Sequence, residues 1–145
     1  VSMILFLCAQ DLGFFWLGLI KDQSFVVLEK INGSPEDILK NLDEFIITNK
    51  IDLDKLDGIS IVSGPGSFTA SRLSLMIVNG LHFTKSIPLF VLENPLKLDP
   101  EKLINKCGIG KPLSEQAFAI PDYDRPANIT QPKTQNLTPK TQNPF

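Results

Sequence analysis

Histidine and cysteine are scarce in this chain of 145 residues, and this scarcity excludes several kinds of site. His82 is the only histidine, so the two-histidine helix motif of zinc peptidases cannot be built. Cys8 and Cys107 lie far apart in the sequence and form none of the short spacings typical of zinc sites or redox pairs. We therefore expect two reduced thiols, a packed or rim position for His82, no metal ligands and no catalytic residues.

An excess of basic residues is also lacking. The chain has 14 Lys and Arg residues against 16 Asp and Glu, for a net charge of −2, and the basic residues are scattered. A protein that holds RNA by itself normally carries a clustered basic surface. If RNA takes part in the function, we expect a different chain to hold it.

Long uninterrupted apolar runs are absent too. The apolar stretch from Met3 to Ile20 is broken by Gln10 and Asp11, and no basic residue precedes it. A membrane-spanning helix takes about 20 largely apolar residues, and a signal peptide begins with positive charge. With 43% apolar and 21% charged residues, the composition is typical of a globular protein, and we predict a cytoplasmic one.

The apolar segments that are present predict an α/β fold with a mixed five-stranded sheet. Helices are predicted to begin near Ser34 and to run from about Ser67 to Lys85. The element order is strand-strand-strand-helix-strand-helix-strand, an antiparallel meander followed by a parallel crossover. Apolar runs bounded by turn residues place the strands at residues 3–9, 14–20, 25–31, 59–62 and 87–92.

The first predicted helix has one apolar face. Ser34 suits the cap position, Pro35 suits the first turn, and Glu36 and Asp37 complement the positive end of the helix dipole. We expect this helix to cover one side of the sheet and to face water on its other side. The residues predicted on the buried face are Ile38, Leu39, Leu42, Phe45 and Ile46, and those on the opposite face are Lys40, Asn41, Asp43 and Glu44.

Apolar residues surround most of the second predicted helix. A helix with this pattern must be buried on most sides, and a protein partner is the natural cover for the side that the sheet leaves open. The alternative is that residues 95–120 fold back over it. The apolar residues concerned are Leu73, Leu75, Met76, Ile77, Val78, Leu81 and Phe83.

The segment Gly64–Thr69, with the sequence Gly-Pro-Gly-Ser-Phe-Thr, forms the connection into this helix. Its glycines permit close backbone approach, Pro65 restricts the chain, and Ser67 or Thr69 can cap the helix. A helix start of this kind can bind an anion, so a phosphate loop is an alternative. The spacing fits neither of the two common glycine-rich phosphate motifs.

The chain changes character near its end. From Pro121 onward Pro, Asn, Gln and Thr dominate, and Pro-Lys-Thr-Gln-Asn occurs twice, beginning at Pro132 and at Pro139. Such a segment buries too little apolar surface to fold, so we predict a disordered tail. The predicted organisation is a domain at residues 1–95, a short helical segment at 96–120 and the tail at 121–145.

Several of these segments together resemble the TsaB (YeaZ-type) family. The similarity covers Ile-Ser-Ile-Val-Ser-Gly-Pro-Gly-Ser-Phe-Thr-Ala-Ser-Arg at residues 59–72, Asn-Gly-Leu at 79–81 and Ile-Pro-Leu at 87–89. Residues 119–133 are similar to the C-terminal end of some members. The resemblance implies the N-terminal half of an actin-like ATPase (RNase H-like) fold, followed by a helical remnant of the second half.

The resemblance also implies a role and a surface. It implies a non-catalytic subunit, a pseudoenzyme without cofactor, that supports threonylcarbamoyl modification of adenosine in tRNA. Its partner would be a TsaD-type catalytic subunit, with a TsaE-type ATPase as a further partner and tRNA reached only indirectly. In the family the pairing surface surrounds the helix after the Gly-Pro-Gly loop, which implies partner-binding roles for Ser67, Phe68, Thr69, Arg72, Leu73, Met76 and Ile77.

The chain departs from the family pattern at three positions. Ala70 and Ser74 replace glycines and are still small, whereas Cys8 stands where an aspartate usually ends the first strand. Without that carboxylate, and with the second half reduced to residues 96–120, we expect no nucleotide binding. The alternatives are a nucleotide-binding or hydrolytic actin-like protein, with a phosphate turn at residues 11–13, and a homodimer formed through the second helix.

Overall fold

One mixed sheet of six strands, in the order β3-β2-β1-β4-β5-β6, forms the centre of the molecule. The computed structural model describes residues 2–114, 117, 119 and 120. Short 3₁₀ turns at Pro35–Asp37 and Leu53–Lys55 accompany the main elements. In chain order the elements are β1 (Met3–Cys8), β2 (Phe14–Lys21), β3 (Ser24–Asn32), α1 (Ile38–Thr48), β4 (Gly58–Gly64), α2 (Phe68–Lys85), β5 (Leu89–Glu93), α3 (Pro100–Cys107) and β6 (Lys111–Pro112).

The strand directions confirm the predicted α/β fold. β1, β2 and β3 form an antiparallel meander, and β1, β4 and β5 run parallel through the two helical crossovers. The prediction of five strands was wrong, because β6 pairs antiparallel with β5 at the edge of the sheet. β6 contains only Lys111 and Pro112 and is exposed, so no apolar alternation indicated it.

The two faces of the sheet are covered by different helices. Side chains alternate along β1, so that Leu5 and Leu7 join the cluster beneath α1 and α2, whereas Ile4 and Phe6 join the cluster on the other face. That second cluster contains Leu103 and Ile104 of α3, as well as Cys8, Ile20, Val62 and Leu92. α1 and α2 therefore share one layer, and α3 forms the other.

The start of α1 agrees with the prediction, but its buried face is narrower. The Asp37 carboxylate accepts hydrogen bonds from the Ser34 N–H at 3.0 Å and from its hydroxyl at 3.2 Å, which secures the first turn. Ile38, Leu42 and Phe45 are buried. The predicted burial of Leu39 was wrong: its side chain is 61% exposed, because it lies about 100° around the helix from Ile38.

The segment after β5 covers α2 at one point. α3 lies on the opposite face of the sheet, so it does not cover α2. The chain then returns, and the Asn79 side chain of α2 donates to the Ala119 carbonyl at 3.0 Å and accepts from the Ala119 N–H at 2.8 Å. Ala119 is buried there in the main cluster. The fold-back alternative thus holds at Ala119, beside a face of α2 that stays exposed.

The remaining large-scale predictions stand as follows. Within the described residues, no helix has the length and apolar character needed to cross a bilayer. The predicted tail at residues 121–145 lies outside the described residues. The division at residues 95 and 120 stays a prediction.

Candidate functional site

The start of α2 is packed tightly against the end of β1. A side chain at Gly66 would place its Cβ 2.8 Å from the Cα and carbonyl oxygen of Gln10, so glycine is required at this close approach. The Ser67 N–H donates to the Gln10 carbonyl at 2.8 Å. The Ser67 hydroxyl then accepts from the Ala70 N–H at 3.0 Å and caps the helix. These contacts fix where α2 begins.

The buried face of α2 consists largely of small and polar residues. Ala70, Ser71 and Ser74 are fully buried against the sheet, and Leu75 and Val78 supply the larger contacts. The Ser74 hydroxyl donates to the Ser71 carbonyl at 3.1 Å. Small residues permit close packing of the helix on the sheet, and the larger apolar side chains of α2 therefore lie at its margins or on its outer face.

His82 completes this buried face. Its Nδ1 lies 2.7 Å from the carbonyl oxygen of Ile87, so Nδ1 carries the proton and donates it, because a carbonyl can only accept. The residue is buried. The predicted packed position of His82 is confirmed.

The outer face of α2 is exposed and largely apolar, and it is defined by Phe68, Thr69, Arg72, Met76, Gly80 and Phe83. Met76 is 60% exposed and Phe83 67% exposed. The Arg72 guanidinium lies 5.2 Å from the centre of the Phe68 ring and covers part of it. Nothing lies within 4 Å of the place where a Cβ on Gly80 would fall, and we call this open position the notch. We call this surface the outer face of α2 below.

The predicted partner-binding residues are brought together on this helix. Phe68, Thr69, Arg72 and Met76 are exposed on the outer face, and Leu73 and Ile77 lie half-buried at its margin. Ser67 acts as the cap and is itself half-buried. The structure thus groups these residues on one side of α2, while their binding role stays a prediction.

Three further residues at this site were not among the predicted ones. Gly80 and Phe83 follow Met76 by four and seven residues, a helical spacing that places them on the same face. This helical spacing was the sequence signal that could have identified Gly80 and Phe83. Asn79 anchors Ala119 beside this face, and nothing in the sequence indicates that long-range contact.

A buried amide network lies at the end of β1. The Gln10 Nε2 donates to the Pro65 carbonyl at 2.7 Å and to the Asn94 carbonyl at 3.0 Å. Its Oε1 accepts from the Asn94 Nδ2 at 2.9 Å and from the Cys8 thiol at 3.5 Å. Asn94 in turn exchanges hydrogen bonds with the Leu98 backbone. The network ties β1, the Gly-Pro-Gly loop and the chain after β5 together.

Cys8 is a neutral group within this network. Burial, with a smaller contribution from the nearby Asp11 carboxylate, raises the pKa of the Cys8 thiol to about 12. The thiol therefore keeps its proton in neutral solution and can donate it to Gln10. It therefore offers no anionic ligand at the end of β1.

The alternative of a phosphate site at the glycine loop finds little support in this geometry. The N–H groups of Ser67, Ala70 and Ser71 are engaged with Gln10 or Ser67, and the Gln10 backbone lies against Gly66. An anion would have to displace these contacts. Among the described residues, no three His, Cys, Asp or Glu side chains are grouped so as to hold a metal ion.

Comparison with known proteins gives matches over the same part of the chain. A protein-family model described as TsaD, tRNA N6-adenosine threonylcarbamoyltransferase, matches residues 33–94. The tRNA threonylcarbamoyladenosine biosynthesis protein TsaB of Haemophilus influenzae is 33% identical over 57 residues, which cover 39% of this chain and 24% of that protein. The family-model match includes the Gly-Pro-Gly loop.

The structural comparison agrees. The chain is similar to YeaZ from Pseudomonas aeruginosa, with a TM-score of 0.58, 20% identity, and coverage of 65% of this chain and 45% of that one. A second Pseudomonas aeruginosa structure, titled as an uncharacterized protein with similarity to peptidase YEAZ, gives a TM-score of 0.57 at 20% identity and covers 65% and 44% of the two chains. The sequence matches support a TsaB/YeaZ-type family, and the structural matches show the same fold.

The chain spans a part of the length of its TsaB/YeaZ-type relatives. The aligned region is 24% of the curated TsaB protein and less than half of each solved structure. The predicted TsaB/YeaZ-type fold is confirmed for this region. The activity and partners of the longer relatives are considered for this chain under the proposed function.

Proposed function

We propose that this chain is a non-catalytic scaffold subunit that binds a TsaD-type protein through the outer face of α2 and thereby supports threonylcarbamoyl modification of adenosine in tRNA. The observation that carries the proposal is the outer face itself. It exposes Met76 and Phe83, although Leu75 and Val78 already supply the large apolar contacts on the buried side of the same helix. Apolar residues clustered on one exposed face are typical of protein interaction sites.

The family relationship supports the choice of partner and pathway. The similar proteins carry names for tRNA threonylcarbamoyladenosine biosynthesis and for the threonylcarbamoyltransferase. The net charge of −2 favours a subunit that leaves RNA contact to its partner. A TsaE-type ATPase would join through that partner, since the outer face of α2 offers one continuous surface.

Co-purification with the TsaD-type protein of the same source tests the proposal. Met76→Asp places a charge on the outer face at a side chain that is 60% exposed, so the fold should persist. We expect affinity for the TsaD-type protein to fall at least about tenfold, as for a residue near the centre of an interface. Leu39→Asp is the matched control, because Leu39 is 61% exposed on α1, and it should bind as the wild type does.

Light scattering separates this proposal from self-association. A homodimer through the same face would give a doubled mass without any partner, and Met76→Asp would return it to a monomer. A chain that stays monomeric and ignores the TsaD-type protein contradicts the proposed function. Dimers that dissociate when the TsaD-type protein is added agree with it, because both would then use one face.

A further inference from the structure

Gln10 lies directly against the Gly-Pro-Gly loop. Its backbone carbonyl takes the Ser67 N–H at 2.8 Å, and its backbone lies where a Cβ on Gly66 would fall. Its side-chain Nε2 holds the Pro65 carbonyl at 2.7 Å. One residue just after β1 thus holds both sides of Gly66, two positions before α2 begins.

The hydrogen-bonding capacity of the Gln10 side chain is fully used. An amide side chain can donate two hydrogen bonds and accept two, and Gln10 makes all four, to Pro65, Asn94 twice and Cys8. The amide orientation is fixed by its surroundings, because Nε2 faces two carbonyl oxygens. A buried and fully satisfied network of this kind is rigid.

We propose that Gln10 is a positioning residue that takes the place of a ligand: it holds the start of α2, and with it the outer face, in the binding position without any nucleotide. This inference rests on the proposed function and adds a statement about its regulation. Phe68, the first residue of the outer face, directly follows the Ser67 that Gln10 holds. Partner binding would therefore be constitutive, since the Ser67, Ala70 and Ser71 N–H groups, which an anion at this helix start could use, are already engaged.

The first experiment measures affinity for the TsaD-type protein with Gln10→Met, which keeps the length of the side chain and removes its polar atoms. We expect a loss of about tenfold, the equilibrium equivalent of about one buried hydrogen bond. Ser60→Ala is the control, because it removes another side-chain hydrogen bond, 2.6 Å to the Ile109 carbonyl on the α3 side. It should lower thermal stability and leave the affinity unchanged.

The second experiment follows amide hydrogen exchange at residues 67–72 in the isolated chain. Gln10→Met should speed exchange there, and ATP with Mg²⁺ or inorganic phosphate should not slow exchange in the wild type. Slower exchange with either ligand would overturn the proposal, because the loop would then accept an anion. Wild-type affinity and exchange in Gln10→Met would overturn it as well.

The Met76→Asp variant keeps the two hypotheses distinguishable. If Met76→Asp loses the partner and Gln10→Met does not, the outer face is the binding site and Gln10 has no positioning role. If Met76→Asp binds normally, the proposed function is wrong, and the partner-binding part of the Gln10 proposal is wrong with it. A loss in both variants, with Ser60→Ala unchanged, supports both.

Discussion

α1 and α2 lie in the same layer on the same face of the sheet, yet their exposed sides differ. α1 buries Ile38, Leu42 and Phe45, and its solvent side mixes Leu39 and Ile47 with charged residues. α2 buries Leu75 and Val78 with small and polar residues, and it also exposes Phe68, Met76 and Phe83. Scattered apolar side chains among charges are normal on a protein surface, whereas apolar side chains clustered on one exposed face are typical of an interaction site.

The difference concerns the exposed sides rather than the anchoring. Both helices hold to the sheet through fully buried apolar side chains of one cluster, Phe45 in α1 and Leu75 in α2. Two helices can therefore be anchored equally well in the fold and still present different exposed surfaces. The exposed composition is the feature that separates a helix facing water from one facing another protein.

The largest expected effect tests whether the two helices are anchored alike. Phe45→Ala should lower the free energy of unfolding by about 3–5 kcal/mol, and Leu75→Ala by about 2–5 kcal/mol, since each leaves a cavity in the core. Urea unfolding monitored by circular dichroism measures both. A loss below about 1 kcal/mol for Leu75→Ala would mean that α2 depends on a partner for its anchoring and would break the comparison.

A matched pair of exposed residues tests the difference itself. Phe83 on α2 and Ile47 on α1 are each 67% exposed. Phe83→Ser should weaken binding of the TsaD-type protein by about 1–2 kcal/mol, as truncation of an aromatic interface residue does, and Ile47→Ser should not. Isothermal titration calorimetry supplies the affinities. Equal effects from both variants would show that α2 is no more an interface than α1.

The smallest expected effect is that of Gly80→Ala, which should raise stability and weaken partner binding. Gly80→Ala fills open space and should raise the free energy of unfolding by about 0.5–1 kcal/mol, because glycine is unfavourable inside a helix. If a partner side chain enters the notch at Gly80, the added methyl group should weaken binding. Asp43→Ala on the exposed side of α1 is the control and should leave binding unchanged. Tighter binding by Gly80→Ala would exclude a use of the notch.

Most strands and the starts of both large helices could be predicted from the sequence because their signals are local. Apolar runs bounded by turn residues indicated β1 to β5, and Ser34 with Asp37 indicated the start of α1. The Gly-Pro-Gly loop marked both the family and the start of α2. β6 could not be predicted, since two exposed residues carry no periodicity, and Leu39 was misplaced because its position falls just beyond the edge of the buried face.

By itself, the sequence determined that the helix after Gly64–Thr69 has more apolar surface than the sheet can cover. The tertiary structure decided which side of α2 the sheet leaves uncovered. Ala70, Ser71 and Ser74 are buried against the sheet, whereas Met76 and Phe83 are exposed. The tertiary structure also decided that Gln10 meets Pro65 and Asn94. The physical reason is distance along the chain, because contacts between residues 55 and 84 positions apart are set by how the strands align in the sheet and leave no local pattern.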